Sequence, residues 1–339
     1  MLLILFAIFV APRWYALGAE QSAEPGVDFS CQQAEYLGDN CFAAFRALLQ
    51  ELHVRHVRLS LHWSEVEPRP GTYNFTEADT LIQMASASGA DVLLTVGIKA
   101  QRYPEFYLPP WLASGNSLPQ GAIVDQAPGV RDALLAYVRA AAEHYALTRT
   151  VTAWQVENEP FIKNPEEIHG WTVSPQTTAD EAAVVRAADP LKRPIVVTHS
   201  TWTIYDVAWK QALGIGDVLG ENVFTKKAWL TSWWYFFPYE MGPWVPDLPG
   251  QAAAARRAGK QFWITEMQAE PEEQRSLLTL DPRQARSISP RLLRDNWDLA
   301  RRSGATRVYF WGAEWWYHER GTGTRQDLWS TAAAIFAGK

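Results

Sequence analysis

Ligating side chains are scarce: the chain has two cysteines, four methionines and seven histidines in 339 residues. None of the histidines, among them His62, His199 and His318, falls in an H-E-x-x-H spacing, so no metal centre is indicated. No G-x-S-x-G elbow precedes a helix, which argues against a serine hydrolase. No glycine-rich phosphate loop follows a strand, so no nucleotide or other cofactor is expected. Basic charge is not in excess, with a net charge of −6. A nucleic-acid binder normally shows a basic face, so that class is set aside. Segments rich in Pro, Gly or Ser that would mark a linker are missing too, which points to a single domain.

Long apolar runs are also missing. The first, Leu2 to Val10, has the length of a signal-peptide core and is too short to span a bilayer. Small residues at Ala16-Leu17-Gly18-Ala19 follow it. Residues 1–19 are therefore read as a signal peptide or an N-terminal anchor. The expected location is secreted or periplasmic, with membrane anchoring as the alternative. In an exported protein Cys31 and Cys41 either pair or remain as buried thiols.

What the chain has in excess is tryptophan, with 17 residues. Each offers a flat apolar face and one N–H donor, which suits both core packing and stacking on sugar rings.

Short aliphatic runs alternate with longer helical patterns, the mark of a parallel sheet. Strands are expected at Val27–Ser30, Val57–Leu61, Asp91–Val96, Val151–Glu157, Pro194–Thr198, Asp217–Phe224, Phe262–Glu266 and Val308–Trp311. Helices are expected after them, including Thr76–Ser88, Val130–Tyr145, Pro175–Ala188, Tyr205–Leu213, Gln251–Ala258, Pro290–Arg302 and a last one at Asp327–Ala337. Asp39 or Asn40 is placed to cap a helix carrying Phe42, Phe45, Leu48, Leu49 and Leu52. Eight such units fit an α/β fold, a (β/α)₈ TIM barrel, over residues 24–339. The spare length lies in loops after strands, the face where such barrels build their active sites.

Two strands end in carboxylates. The fourth runs into Glu157-Asn158-Glu159-Pro160, and the seventh ends at Thr265-Glu266. Burying a carboxylate is costly unless it is paired or used. In a closed barrel, strands four and seven lie on opposite sides of the mouth. Two opposed carboxylates suit glycoside hydrolysis, which needs one protonated acid and one ionised partner. Glu157, sharing a strand face with Gln155 and Glu159, is expected to pair with Arg58 or another buried base.

Three segments carry a family resemblance: Asn158-Glu159-Pro160, Ile264-Thr265-Glu266, and Arg58-Leu59-Ser60-Leu61-His62-Trp63-Ser64-Glu65-Val66-Glu67-Pro68 with Gly71 and Tyr73. The chain resembles the clan A retaining glycoside hydrolases, which are (β/α)₈ barrels. The resemblance implies Glu159 as general acid/base and Glu266 as nucleophile. It implies Asn158 as the ligand of the sugar 2-hydroxyl and Arg58 as the cation that keeps Glu266 ionised. It also implies Trp311 as the floor beneath the reacting sugar. The expected substrate is a β-linked glucan or mannan. The alternatives are an exo-acting, β-galactosidase-like enzyme or a barrel that binds carbohydrate without cleaving it.

The chain departs from the clan's cellulases at two places. Strand three ends Gly97-Ile98-Lys99 without a histidine, and strand six ends Asn222-Val223-Phe224 without a tyrosine. Lys99 is a candidate sugar ligand in place of that histidine, or the partner of Glu105. His62 and Trp234 are further candidate substrate contacts, Trp234 in an aromatic-rich loop from Trp229 to Trp244. Trp315, Trp316 and Tyr317 invite the same two readings, platform or packing.

Overall fold

The computed structural model describes residues 18, 20–163, 169–202, 206–228, 235–236, 246–273 and 275–338. Eight strands are the frame: β1 (Glu24–Asp28), β2 (His56–Ser60), β3 (Asp91–Val96), β4 (Val151–Val156), β5 (Ile195–His199), β6 (Val218–Val223), β7 (Gln261–Gln268) and β8 (Arg307–Trp311). They close into a parallel barrel in the order β1-β8-β7-β6-β5-β4-β3-β2. Consecutive strands are thus neighbours, as right-handed βα units require. The sequence reading of a (β/α)₈ barrel holds, with boundaries displaced by a few residues.

The strands form where they do because both faces are covered. Val92, Leu93, Leu94 and Val96 of β3 are all fully buried. Continuous aliphatic runs of this kind suit parallel strands with helices outside and packed side chains inside. The helices have legible ends. Asn40, one of the two residues anticipated, caps the helix Cys41–Glu51 by accepting from Ala43 N. Ser174 and Ser289 cap Pro175–Ala188 and Pro290–Ser303, each with proline at the first helical position. Gly304 closes the second of these with φ of 90°.

The chain divides into two compact units. One comprises the described residues of 1–57, 201–207 and 221–339, the other those of 58–200 and 208–220. In the first, Cys31 and Cys41 are joined as a disulfide across a Cα separation of 4.8 Å. It ties together the starts of two helices, Cys31–Tyr36 and Cys41–Glu51. A helix at Ala313–Thr322 was not anticipated. Its Trp315 and Trp316 are buried, and Trp316 Nε1 donates to Ala269 O at 2.7 Å. These two aromatics pack the core.

The approach of β1 to β2 rests on one missing side chain. A Cβ built on Gly26 would lie 2.5 Å from His56 O and 2.8 Å from His56 Cβ. The obstacle is backbone and cannot rotate away. Gly26→Ala is expected to lose roughly 1–3 kcal/mol by overpacking. Urea unfolding of the two proteins checks it, and equal midpoints would refute the close approach.

Candidate active site

The end of β4 is built from buried polar groups that satisfy one another. Arg58, on β2, is fully buried. Its Nε donates to Gln155 Oε1 at 2.7 Å and its Nη2 donates to Asn158 Oδ1 at 2.9 Å. Gln155 Nε2 passes the chain on to Glu157 O at 2.8 Å. Thr198, on β5, donates its hydroxyl to Asn158 Oδ1 at 3.2 Å and accepts from Glu159 N at 2.8 Å. The Asn158 amide oxygen thus faces two donors, which fixes the orientation of its amide group.

Glu157 and Glu159 adopt φ of 59° and 48°, in the left-handed region. Each such non-glycine residue costs of order ~1–3 kcal/mol and persists only when its surroundings hold it. For Glu157 they do so on both oxygens. Oε1 accepts from Ile98 N at 2.9 Å and Oε2 from Lys99 N at 2.6 Å. Gly97 makes room, since a Cβ there would lie 2.5 Å from the Glu157 carboxyl carbon.

The expected pairing of Glu157 with Arg58 is corrected. β4 ends at Val156, and the left-handed turn at Glu157 breaks the strand alternation on which that expectation relied. Its side chain meets the backbone after β3, and the carboxyl group of Glu181, on the helix Pro175–Ala188, is near enough to act on its charge. Both glutamates are fully buried. Burial, opposed by the two backbone N–H groups, pushes the Glu157 carboxyl up to about 7. Burial and the neighbouring Glu157 charge push Glu181 well above the carboxylate range. Two interacting carboxyl groups this deeply buried titrate as a pair, and burial favours their protonated forms.

Glu159 differs from its neighbour in being reachable, its side chain 14% exposed. Lys99 lies beside it and is buried. Its Nζ is 3.1 Å from Glu159 O, 3.1 Å from Glu105 Oε2 and 3.7 Å from Glu159 Oε2.

The segment after β2 is a scaffold with one polar atom to offer. Glu67 accepts from Trp63 Nε1 and from Gly71 N, both at 2.7 Å. Its own carbonyl takes Trp111 Nε1 at 3.0 Å. His62 stacks on Tyr107 with ring centroids 3.8 Å apart, and its Nδ1 is 3.3 Å from Glu65 Oε2. The buried Nε2 of His62 has no hydrogen-bond partner among the described residues.

On β7, Glu266 is 3% exposed. β7 pairs with β8 as Ile264 to Val308 and Met267 to Phe310. Thr265 and Glu266 therefore oppose Tyr309 alone, which makes a β-bulge. A bulge turns a side chain out of strand alternation and recurs beside active sites. Thr265 Oγ1 bonds Asn222 Oδ1 of β6 at 2.7 Å, and β7 continues two residues beyond Glu266. Trp311, half-buried at the end of β8, meets Phe224 edge-on at 6.5 Å. Trp234 lies outside the described residues, as does most of the aromatic loop. His318 bonds Asp39, and Glu314 accepts from Ser30 N.

Glu181 and the role of Thr198 were not legible in the sequence, which placed Gln155 only on a strand face beside Glu157 and Glu159. Glu181 sits mid-helix in an ordinary amphipathic pattern. Only its pairing with Glu157 across elements sets it apart.

The carboxyl pair sets a pH dependence. Between its unfolded value near 4.5 and its folded value near 7, Glu157 holds a proton in the native state that the unfolded chain releases, and Glu181, also raised, adds to the effect. The pair's contribution to stability is complete below that window and falls as pH rises through it. The melting temperature is expected to drop from about pH 5 to about pH 8. Glu181→Gln, which removes one of the two titrating groups and its charge beside Glu157, is expected to reduce that slope. Calorimetry checks it; parallel slopes would rule out Glu181 as a source of the pH dependence.

Residues 40–172 match the Glyco_hydro_42 family, described as beta-galactosidase. No curated protein sequence matches the chain. Several solved structures do. GH5_18 from Streptomyces cattleya in complex with GlcNAc is similar at 16% identity and TM-score 0.56, over 86% of this chain and 71% of that one. The exo-beta-1,4-mannosidase of Opitutaceae bacterium strain TAV5 is similar at 17% identity and TM-score 0.57, over 86% of this chain and 52% of that one. The beta-galactosidase of Rahnella sp. R3 is similar at 12% identity and TM-score 0.61, over 95% of this chain and 56% of that one. The chain thus spans about half the length of the latter two. Together with the closed eight-stranded barrel, these likenesses show a (β/α)₈ barrel fold like that of these glycoside hydrolases.

Proposed function

We propose that the protein is a retaining β-glycoside hydrolase acting on β-linked oligo- or polysaccharides of glucan or mannan type. The observation that carries this reading is the fully braced end of β4. Arg58 and Thr198 orient Asn158, and Glu159 follows it as the reachable carboxylate. Glu266, on a bulge of β7, supplies the second carboxyl group. In the first step Glu266 attacks the anomeric carbon while Glu159 gives its proton to the leaving oxygen. In the second, Glu159 takes a proton from water, which displaces Glu266 from the same carbon. Such a mechanism places the two carboxyl groups about 5–5.5 Å apart. The Asn158 amide donates to the 2-hydroxyl, and Arg58 provides fixed positive charge beneath the site. Trp311 stacks on a sugar face at the end of β8. No metal or cofactor is needed for this chemistry.

The match of residues 40–172 to a family described as beta-galactosidase favours a second reading, an exo-acting β-galactosidase. Products from polysaccharides and aryl β-glycosides separate the two: internal cuts for the first, single sugars for the second. We place the protein outside the cytosol, supported by the Cys31–Cys41 disulfide, since such bonds persist in oxidising compartments. A mass gain on alkylation without reductant would count against that.

Glu266→Ala is expected to lower kcat by roughly 10³-fold or more. Azide should restore turnover of an activated aryl glycoside and give a glycosyl azide of inverted configuration. Glu159→Ala is expected to lose roughly 10²–10⁴-fold on substrates that need acid help. Its azide product should have retained configuration. A Glu266→Ala protein as active as the wild type would sink the assignment.

A further inference from the structure

Lys99 touches three consecutive residues at the end of β4 with three different groups. Its N–H donates to the Glu157 carboxylate at 2.6 Å. Its carbonyl accepts from Asn158 N at 2.7 Å. Its ammonium donates to Glu159 O at 3.1 Å and lies 3.7 Å from Glu159 Oε2. The two left-handed residues, Glu157 and Glu159, are therefore both held from one position on the neighbouring strand end.

The ammonium also has a counter-charge from its own loop. Residues 99–106 fold back on themselves, with Lys99 bridging to Phe106 and Ala100 N donating to Glu105 O at 2.8 Å. That fold delivers Glu105 Oε2 to 3.1 Å from Nζ. Phe106 covers the ammonium with its ring centroid 5.9 Å away. Lys99 is thus 1% exposed between two carboxyl groups. A sugar hydroxyl would have to displace one of these partners, so direct substrate binding is the poorer role for it.

We propose that Lys99, balanced by Glu105, is a positioning residue that holds Glu159 in place and stabilises the negative charge left on it as its proton passes to the leaving oxygen. The proposal rests on the assignment of Glu159 as acid/base. While Glu159 is protonated, the Lys99–Glu105 pair is neutral. When the O–H bond of Glu159 breaks toward the leaving oxygen, the new carboxylate forms beside a fixed cation. That interaction is stronger in the transition state than in the ground state, so it contributes to rate rather than to binding.

The test compares kcat/KM for a series of aryl β-glycosides, from dinitrophenyl to methylphenyl leaving groups, in the wild type and Lys99→Met. Poor leaving groups depend on proton donation and good ones do not. A positioning role predicts a steeper leaving-group dependence in the variant, with a loss of about 100-fold on the poorest and at least about tenfold less on the best. A loss equal across the series would mean a structural role only, and an unaltered series would mean no role; either overturns the proposal. Lys99→Met removes the cation that sits between two half-buried carboxyl groups. The pair Lys99→Met with Glu105→Gln removes one of those charges and is read in the same way if the single variant does not fold. A wild type inactive on every glycoside would remove the glycosidase reading and this role with it. Activity in the wild type combined with parallel losses would remove only the role of Lys99.

Discussion

Two glutamates in left-handed backbone, one residue apart, are the constraint around which the described site is arranged. Glu157 and Glu159 cannot hold those angles without help. Glu157 is held through its carboxylate, by two backbone N–H groups after β3. Glu159 is held through its backbone, by Thr198 on one side and Lys99 on the other. Asn158, between them, is held through its side chain by Arg58. Each residue of the turn has its own brace, and the braces come from β2, β3 and β5. Displacing one strand end would release the strain and misplace the reachable carboxyl group.

This division of labour explains why adjacent acids have such different surroundings. Glu157 is closed off near Glu181 and is held by two backbone N–H groups. Glu159 keeps part of its surface open and faces a cation. Gly97 is the condition for the first arrangement, since any side chain there would collide with the Glu157 carboxyl group. On β7 a different device is used. A bulge re-aims Glu266 without left-handed residues, and Thr265 ties the strand to Asn222 on β6.

Much of this was legible beforehand. Aliphatic runs with capped helices between them predict eight βα units, because buried parallel strands and amphipathic helices have distinct periods. The acids at two strand ends stand out because nothing in a core explains them. The pairing of Glu157 with Arg58 was not legible correctly. Alternation along a strand carries no warning that the strand stops one residue earlier and turns left-handed. Lys99 could be read as a sugar ligand or as the partner of Glu105, and local sequence offered no way to choose.

By itself the sequence determined the barrel, the order of its elements and the strand ends that bear carboxylates, because periodicity and capping are local properties of the chain. Only the tertiary structure decided which polar groups meet. Arg58 with Asn158, Glu157 with Ile98, and Lys99 with Glu159 join residues 100, 59 and 60 positions apart in sequence. Their energies depend on burial and on approach to within a few ångströms, and the closure of neighbouring strands and helices sets both.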